Sequence, residues 1–297
     1  MKFSRMMLGT VQFGLNYGIA NTAGKPAYET AREIIKVAYE NGVNCLDTAA
    51  GYGDSEEVIG RALTELKLND KMQIISKVDK VYLHNFTPAE AEKFITKSVE
   101  NSLRRLRVDR LAVCLFHIEA DLQYLEVLQK LKQRDLIGGA GISLDTNTHC
   151  NEVIARKLKY IQLPCNIFDR RFDDFFAKVP DNTHIFARSA YLQGLLLMPE
   201  EKIKPELSCI IPVRRKIEAL AKAAGLKMPE LFLRFVLTNP KISCVLIGVD
   251  SVEQLKQNLA IIEKGPLSDD LYHQVTAIVP MFEEKIIRPG LWKERVR

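Results

Sequence analysis

The sequence predicts an α/β fold, a single (β/α)8 barrel of the TIM type. Short apolar runs alternate with longer amphipathic stretches along the chain, there are eight such runs, and each is almost continuously apolar, as parallel strands covered on both faces require. The runs lie at residues 6–10, 43–47, 73–77, 111–117, 137–143, 160–163, 184–189 and 244–248. Alternation of this kind builds a parallel sheet. A doubly wound open sheet uses the same alternation, but eight runs with no visible reversal of order favour closure. The length of 297 residues suits one such barrel, which needs about 250.

The helical stretches follow in order. Residues 28–41 set Ala31, Ile34, Ile35 and Ala38 on one face and stop at Asn41-Gly42, a C-cap signal. Residues 54–66 open with Asp54-Ser55-Glu56-Glu57, a start resembling a capping box. Thr87-Pro88 opens the helix that runs to Leu103, with proline in the first turn. Stretches 121–133, 147–157, 213–224, 228–237 and 251–263 complete the set. No linker, low-complexity stretch or short repeat divides the chain, so residues 1–297 read as one domain. The connection 190–211 is longer than an ordinary loop and is a candidate functional segment.

Composition excludes several classes. Apolar residues make up 47% and charged residues 27%, and 42 Lys and Arg against 37 Asp and Glu leave a net charge of +5. The densest basic run, Arg104-Arg105-Leu106-Arg107, falls at a helix end where cations suit the dipole, so nucleic acid is not expected as a partner. No apolar run reaches the roughly 20 residues of a membrane span, and the first residues lack a signal-peptide core. The six cysteines form no C-x-x-C pair, and Cys45, Cys114 and Cys244 lie in apolar runs. That is the usage of a reducing, cytoplasmic compartment. The histidines at 84, 117, 149, 184 and 273 have no metal-ligand spacing, so no metal is expected. No G-x-S-x-G elbow is present. Gly139-Ala140-Gly141 lacks the third glycine of a dinucleotide fingerprint and lies within a strand run.

Chemistry in such a barrel sits where the strands end. The polar residues there are Thr10 and Gln12, Asp47, Lys77, His117, Ser143, Gln162, Arg188 with Ser189, and then Gly248. Singly, Asp47 and Lys77 read as a structural ion pair, His117 as a core histidine, and Tyr52 as a loop aromatic. One mechanism needs all four. Hydride delivery to a carbonyl builds charge on oxygen, which must receive a proton. A tyrosine hydroxyl can give it if a nearby ammonium lowers its pKa from about 10. Lys77 supplies that charge, Asp47 holds the lysine, and His117 orients the carbonyl.

The segment Asp47-Thr48-Ala49-Ala50-Gly51-Tyr52-Gly53-Asp54-Ser55-Glu56, followed by Ile59-Gly60, resembles the signature of the aldo-keto reductase family. Ile75-Ser76-Lys77 and Leu115-Phe116-His117 are similar to its lysine and histidine strands, and the order Asp, Tyr, Lys, His is the family order. The resemblance covers roughly residues 6–263. It implies a catalytic tetrad of Asp47, Tyr52, Lys77 and His117, and a nicotinamide cofactor. It further implies cofactor contacts at Gly9, Thr10, Asp47, Ser143, Gln162, Arg188, Ser189, Gln193, Gly194, Gly248, Asp250, Ser251, Gln254 and Asn258. Leu144 stands where the family commonly has Asn, and Arg188 where it commonly has an aromatic. NADP(H) is the family default. Asp250, where NADPH-selective members often carry a cation, would repel a 2′-phosphate and accept from a 2′-hydroxyl, so NAD(H) is expected to be accepted as well.

The substrate expected is a small carbonyl compound or a sugar: an aldehyde, ketone, sugar or nucleotide-linked sugar. Tyr52 and His117 would contact it, with Tyr82 and Trp292 from flanking loops. Arg170, Arg171 and Arg188 suit a polar or anionic substrate, although Arg170-Arg171 also reads as a solvated helix start. The C-terminal segment 264–297 is expected to pack on the barrel. Trp292 in it either docks the tail or helps close the substrate pocket. Two other functions fit the same residues: a redox-sensing regulatory module that binds cofactor without turnover, and a sugar lyase or epimerase that oxidises its substrate transiently. Oligomeric state is not legible.

Overall fold

Eight strands follow one another around a ring in chain order in the computed structural model, which describes residues 2–22 and 24–292. They are β1 (Met6–Gly9), β2 (Cys45–Asp47), β3 (Gln73–Val78), β4 (Val113–Phe116), β5 (Ala140–Ser143), β6 (Tyr160–Pro164), β7 (His184–Arg188) and β8 (Ile242–Gly248). All neighbours pair in parallel, and β8 returns to β1 in register from Met6↔Val245 to Gly9↔Gly248. Closure leaves no sheet edge. The barrel is the fold expected, and the open sheet is excluded.

The continuous apolarity of the runs now has its reason. Along β1, Met7 joins Cys45, Ile75, Val113, Leu115, Phe186 and Cys244 in a layer filling the barrel interior, while Met6 and Leu8 pack outward with the helices. Both alternating sets are therefore buried. The strands are mostly shorter than the apolar runs, because a strand lasts only while both neighbours offer partners. Leu111 and Ile137 keep a single isolated bridge outside β4 and β5, and His117 falls one residue beyond β4. β8 starts two residues earlier than the run that marked it.

The helices run Tyr28–Glu40, Ser55–Leu66, Pro88–Leu106, Leu125–Gln133, Cys150–Ala155, Ile211–Ala223, Met228–Thr238 and Val252–Glu263. Thr87 and Glu90 form a reciprocal capping box, and Ser251 caps the last of these by accepting from Gln254 N. The box expected at Asp54 does not form, since its carboxylate pairs with Lys25 instead. The stretch from 121 opens as a 3-10 turn, Glu119–Tyr124, before the α-helix begins. The sequence reading missed helices Asp173–Lys178 and Asp269–Ile278. The long connection contains three 3-10 turns: Leu192–Leu197, Glu200–Lys202 and Pro205–Ile210.

The basic run places Arg104 and Arg105 in the last turn of its helix, as expected. Arg105 bonds the buried carboxylate of Glu56 through Nε and Nη2, so it joins two helices rather than serving only the helix dipole. Arg171 is not the solvated helix start that the sequence allows. Its side chain is 8% exposed and is held by Asp169, Glu284 and the Asp145 carbonyl. Among the described residues, no helix is long and apolar enough to cross a membrane, and no cluster of His, Cys, Asp or Glu could hold a metal ion.

Candidate active site

The ends of β2 and β3 bring Asp47 and Lys77 together at the C-terminal mouth. Lys77 Nζ lies 2.7 and 2.8 Å from the Asp47 carboxylate oxygens and 2.9 Å from the Thr48 carbonyl. An ammonium has three donors, and all three are engaged. Both residues are almost wholly buried. Gln162 Nε2, from β6, donates to Asp47 Oδ1 at 2.7 Å. Burial pulls the Lys77 pKa below the ordinary lysine value, against the opposing pull of Asp47. Three acceptors thus fix the amino group in a desolvated place.

Tyr52 leans over it, with the Lys77 ammonium 5.0 Å from the ring centroid. The His117 ring meets Tyr52 edge to face at 5.5 Å. The turn carrying Tyr52 is tightly set. Ser55 N donates to Tyr52 O, Gly53 takes a left-handed φ of 57°, and the Ser55 hydroxyl donates toward Thr10 O at 2.8 Å. Thr48 Oγ1 lies 3.1 Å from the same hydroxyl. The short helix Val11–Gly14 presses on this turn so closely that a Cβ at Gly14 would stand 1.8 Å from Tyr52 O. Glu56, beside Ser55, accepts from Ser76 next to Lys77 at 2.6 Å.

His117 is neutral. Burial first, then the charges of Lys77, Lys80 and Arg188, push its pKa down to about 3. Its Nδ1 is buried without a hydrogen-bond partner.

The residues expected to meet a cofactor fall into three groups. Gly9, Thr10, Ser143 and Gln162 line the ring of strand ends, and Thr10 Oγ1 donates to the Asp47 carbonyl. Beyond β7, Ser189, Leu192, Gln193 and Gly194 take positive φ. Gln193 Nε2 donates to the Tyr17 hydroxyl at 2.8 Å, and Ile19 N donates to its carbonyl. After β8, Gly248 leads to Asp250, whose Oδ1 is buried and unpartnered and whose pKa is raised by burial. Gln254 Oε1 accepts from Asp250 N. Asn258 is committed within the protein, accepting from the Tyr191 hydroxyl and donating to Gln254 O, both at 2.7 Å.

Arg188 brings in residues that the sequence reading missed. It donates to Leu144 O at 3.1 Å and to Asp145 Oδ1 at 3.0 Å, while Arg288 holds Asp145 Oδ2 at 2.8 Å. One carboxylate thus joins β7 to the C-terminal segment. Asp145 lies two residues past β5, and extending the strand-end reading by two positions would have found it. Nothing local marks Arg288. Tyr82 is 43% exposed, and its backbone N–H donates to Asp121. Trp292 Nε1 donates to Ile286 O at 3.2 Å, docking the ring on its own segment. Residues 293–297 of the expected tail lie outside the described residues.

Comparison with known proteins agrees with the barrel fold. The family model described as "Aldo/keto reductase family" matches residues 5–280, and the chain belongs to that family. It is 27% identical to L-galactose dehydrogenase of Arabidopsis thaliana, over 92% of this chain and 91% of that protein. It is 25% identical to the NADH-specific methylglyoxal reductase of Escherichia coli, over 86% and 89% respectively. Among solved structures, the holo form of an aldo-keto reductase from Bacillus halodurans superposes with a TM-score of 0.77 at 22% identity, covering 96% of this chain and 95% of that one. A glycerol dehydrogenase from Gluconobacter oxydans gives 0.73 at 25% identity, covering 93% and 91%.

Proposed function

We propose that this protein is an NAD(P)H-dependent oxidoreductase that interconverts a carbonyl compound and its alcohol, with Tyr52 as the proton donor and acceptor. The observation that carries the reading is the desolvated Lys77 ammonium beneath the Tyr52 ring, with neutral His117 beside it. The nicotinamide, when bound, supplies or accepts the hydride. The protein's own groups handle the proton. A buried positive charge favours tyrosinate, so the hydroxyl releases its proton more readily to the developing alkoxide. Asp47 keeps the ammonium charged and aimed, and Gln162 steadies Asp47. A neutral imidazole can donate one hydrogen bond to the carbonyl oxygen without competing as a proton source.

Several features fit a dinucleotide. Gln12 Oε1, His117 Nδ1 and Asp250 Oδ1 are buried polar atoms without a protein partner, and two paired glycines, Gly9 and Gly248, leave bare backbone between β1 and β8. Gly9, Thr10, Ser143, Gln162, Ser189 and Gly248 through Gln254 would hold it, with Arg188 beside the ring. NADP(H) is the family default, and the half-buried Asp250 carboxylate supports NAD(H) as well. The relatives named for sugar, polyol and methylglyoxal chemistry support a small, polar carbonyl or hydroxyl substrate. The C-terminal segment, tied to Asp145 by Arg288, would form part of the wall of its pocket together with Tyr82 and Trp292.

Fluorescence titration with NADH and NADPH, followed by an absorbance assay on an aldehyde and sugar panel, tests the reading. Both cofactors are expected to bind. Tyr52→Phe should lower kcat by about 10²–10⁴ while leaving cofactor affinity unchanged. Undiminished turnover in that variant would overturn the assignment, and NADPH-only binding would remove the role given to Asp250.

A further inference from the structure

The mouth holds one strand-end side chain that the tetrad and the family resemblance leave without a task. Gln12 follows β1 on the short helix Val11–Gly14, is only 9% exposed, and has a buried Oε1 with no hydrogen-bond partner. Its neighbour across the barrel seam is Gly248. A Cβ built there would stand 2.3 Å from Gln12 Oε1 and 2.4 Å from Nε2. The amide therefore occupies the space that a side chain at 248 would need. Gly248 itself pairs in register with Gly9, where an added Cβ would lie 3.2 Å from Gly248 N. The barrel thus closes on two glycines, with one carboxamide laid against the second, Gly248. Beyond Gly248 the loop reaches Asp250, whose Oδ1 is likewise buried and unpartnered.

A buried amide with an unmade hydrogen bond is unfavourable unless a ligand or water completes it. The unpartnered atom, Oε1, is an acceptor, so its partner must be able to donate. A sugar hydroxyl can donate, whereas a pyrophosphate oxygen only accepts.

We propose that Gln12 is a further cofactor-binding residue, its carboxamide seating a ribose hydroxyl of the dinucleotide where β1 meets β8, with residue 248 kept as glycine to leave the amide its place. The assignment rests on the proposed function. It separates two duties at the seam: Gln12 reads what NADH and NADPH share, and Asp250 reads where they differ.

Fluorescence titration of purified wild-type and Gln12→Leu protein with NADH and with NADPH tests it. The variant should raise both dissociation constants by about three- to tenfold, the range of one lost neutral hydrogen bond, and by the same factor for each cofactor. A change below about twofold for both would overturn the proposal. So would a loss confined to one cofactor, which would put the contact at the adenosine 2′ position. Thermal melting without cofactor checks that the variant folds. If it does not, Gly248→Ala, whose methyl must displace the amide, should weaken both cofactors equally, and unchanged binding there would overturn the proposal too. Wild-type protein that binds neither dinucleotide would instead remove the proposed function itself, and this assignment with it.

Discussion

Replacing Lys77 with methionine separates a catalytic charge from a structural ion pair. The substitution roughly keeps the side chain's length and removes three hydrogen bonds of 2.7–2.9 Å. Asp47 is left 2% exposed without its cation, with the Gln162 amide as its remaining side-chain donor. Breaking a buried pair by removing one partner costs about 3–5 kcal/mol. At roughly 2–4 °C per kcal/mol for a chain of this size class, the melting temperature should fall by about 6–20 °C. On the proposed mechanism turnover should fall by about 10²–10⁴, because Tyr52 would lose the cation meant to ease its ionisation. The double variant Lys77→Met with Asp47→Asn decides between the readings. Neutralising the orphaned carboxylate should recover much of the stability and none of the rate. Urea denaturation and kcat at saturating cofactor measure the two quantities on the same preparations. A double variant that regains both would refute the reasoning, since the pair would then serve the fold alone.

Two further outcomes follow from the site. His117 resists protonation until about pH 3, whereas an unfolded histidine takes up its proton near 6.5. Between those values the unfolded state binds more protons, so the contribution of His117 to stability is complete above about pH 6.5 and is lost at roughly 1.4 kcal/mol per pH unit as pH falls toward 3. His117→Gln should flatten the stability profile by that slope between about pH 4 and 6, and equal slopes in denaturant titrations would contradict it. Gly14→Ala drives a methyl into the backbone at Tyr52 and Ser55, at 1.8 and 2.6 Å. Overpacking of this kind costs about 1–3 kcal/mol, and a shift of the turn by about 1 Å can lower kcat by about a hundredfold; a folded variant with wild-type kcat would rule out Gly14 as the stop that positions Tyr52.

Much of the site was legible because its signals are local. Asp47, Tyr52 and the residues between them occupy one strand end and one turn, and Lys77 and His117 each end or follow an apolar run. The rest depends on partners distant in sequence. Gln162 reaches Asp47 across 115 residues, and Arg288 reaches Asp145 across 143. The misread Asp54 shows the same limit from the other side. Its sequence fits a capping box, but Lys25, 29 residues earlier, competes for the carboxylate. Helix Asp173–Lys178, which escaped notice, holds only six residues, less than two turns.

The sequence alone determined the barrel and its four central polar residues, since apolar periodicity and strand-end polarity are properties of consecutive residues. The tertiary structure alone decided their state. It buried Lys77 with all three donors engaged, made His117 neutral, committed Asn258 to Tyr191, and set Gln12 against Gly248 with an acceptor unmet. Burial and hydrogen-bond satisfaction depend on which atoms closure brings within about 3 Å, and no local pattern of residues encodes that.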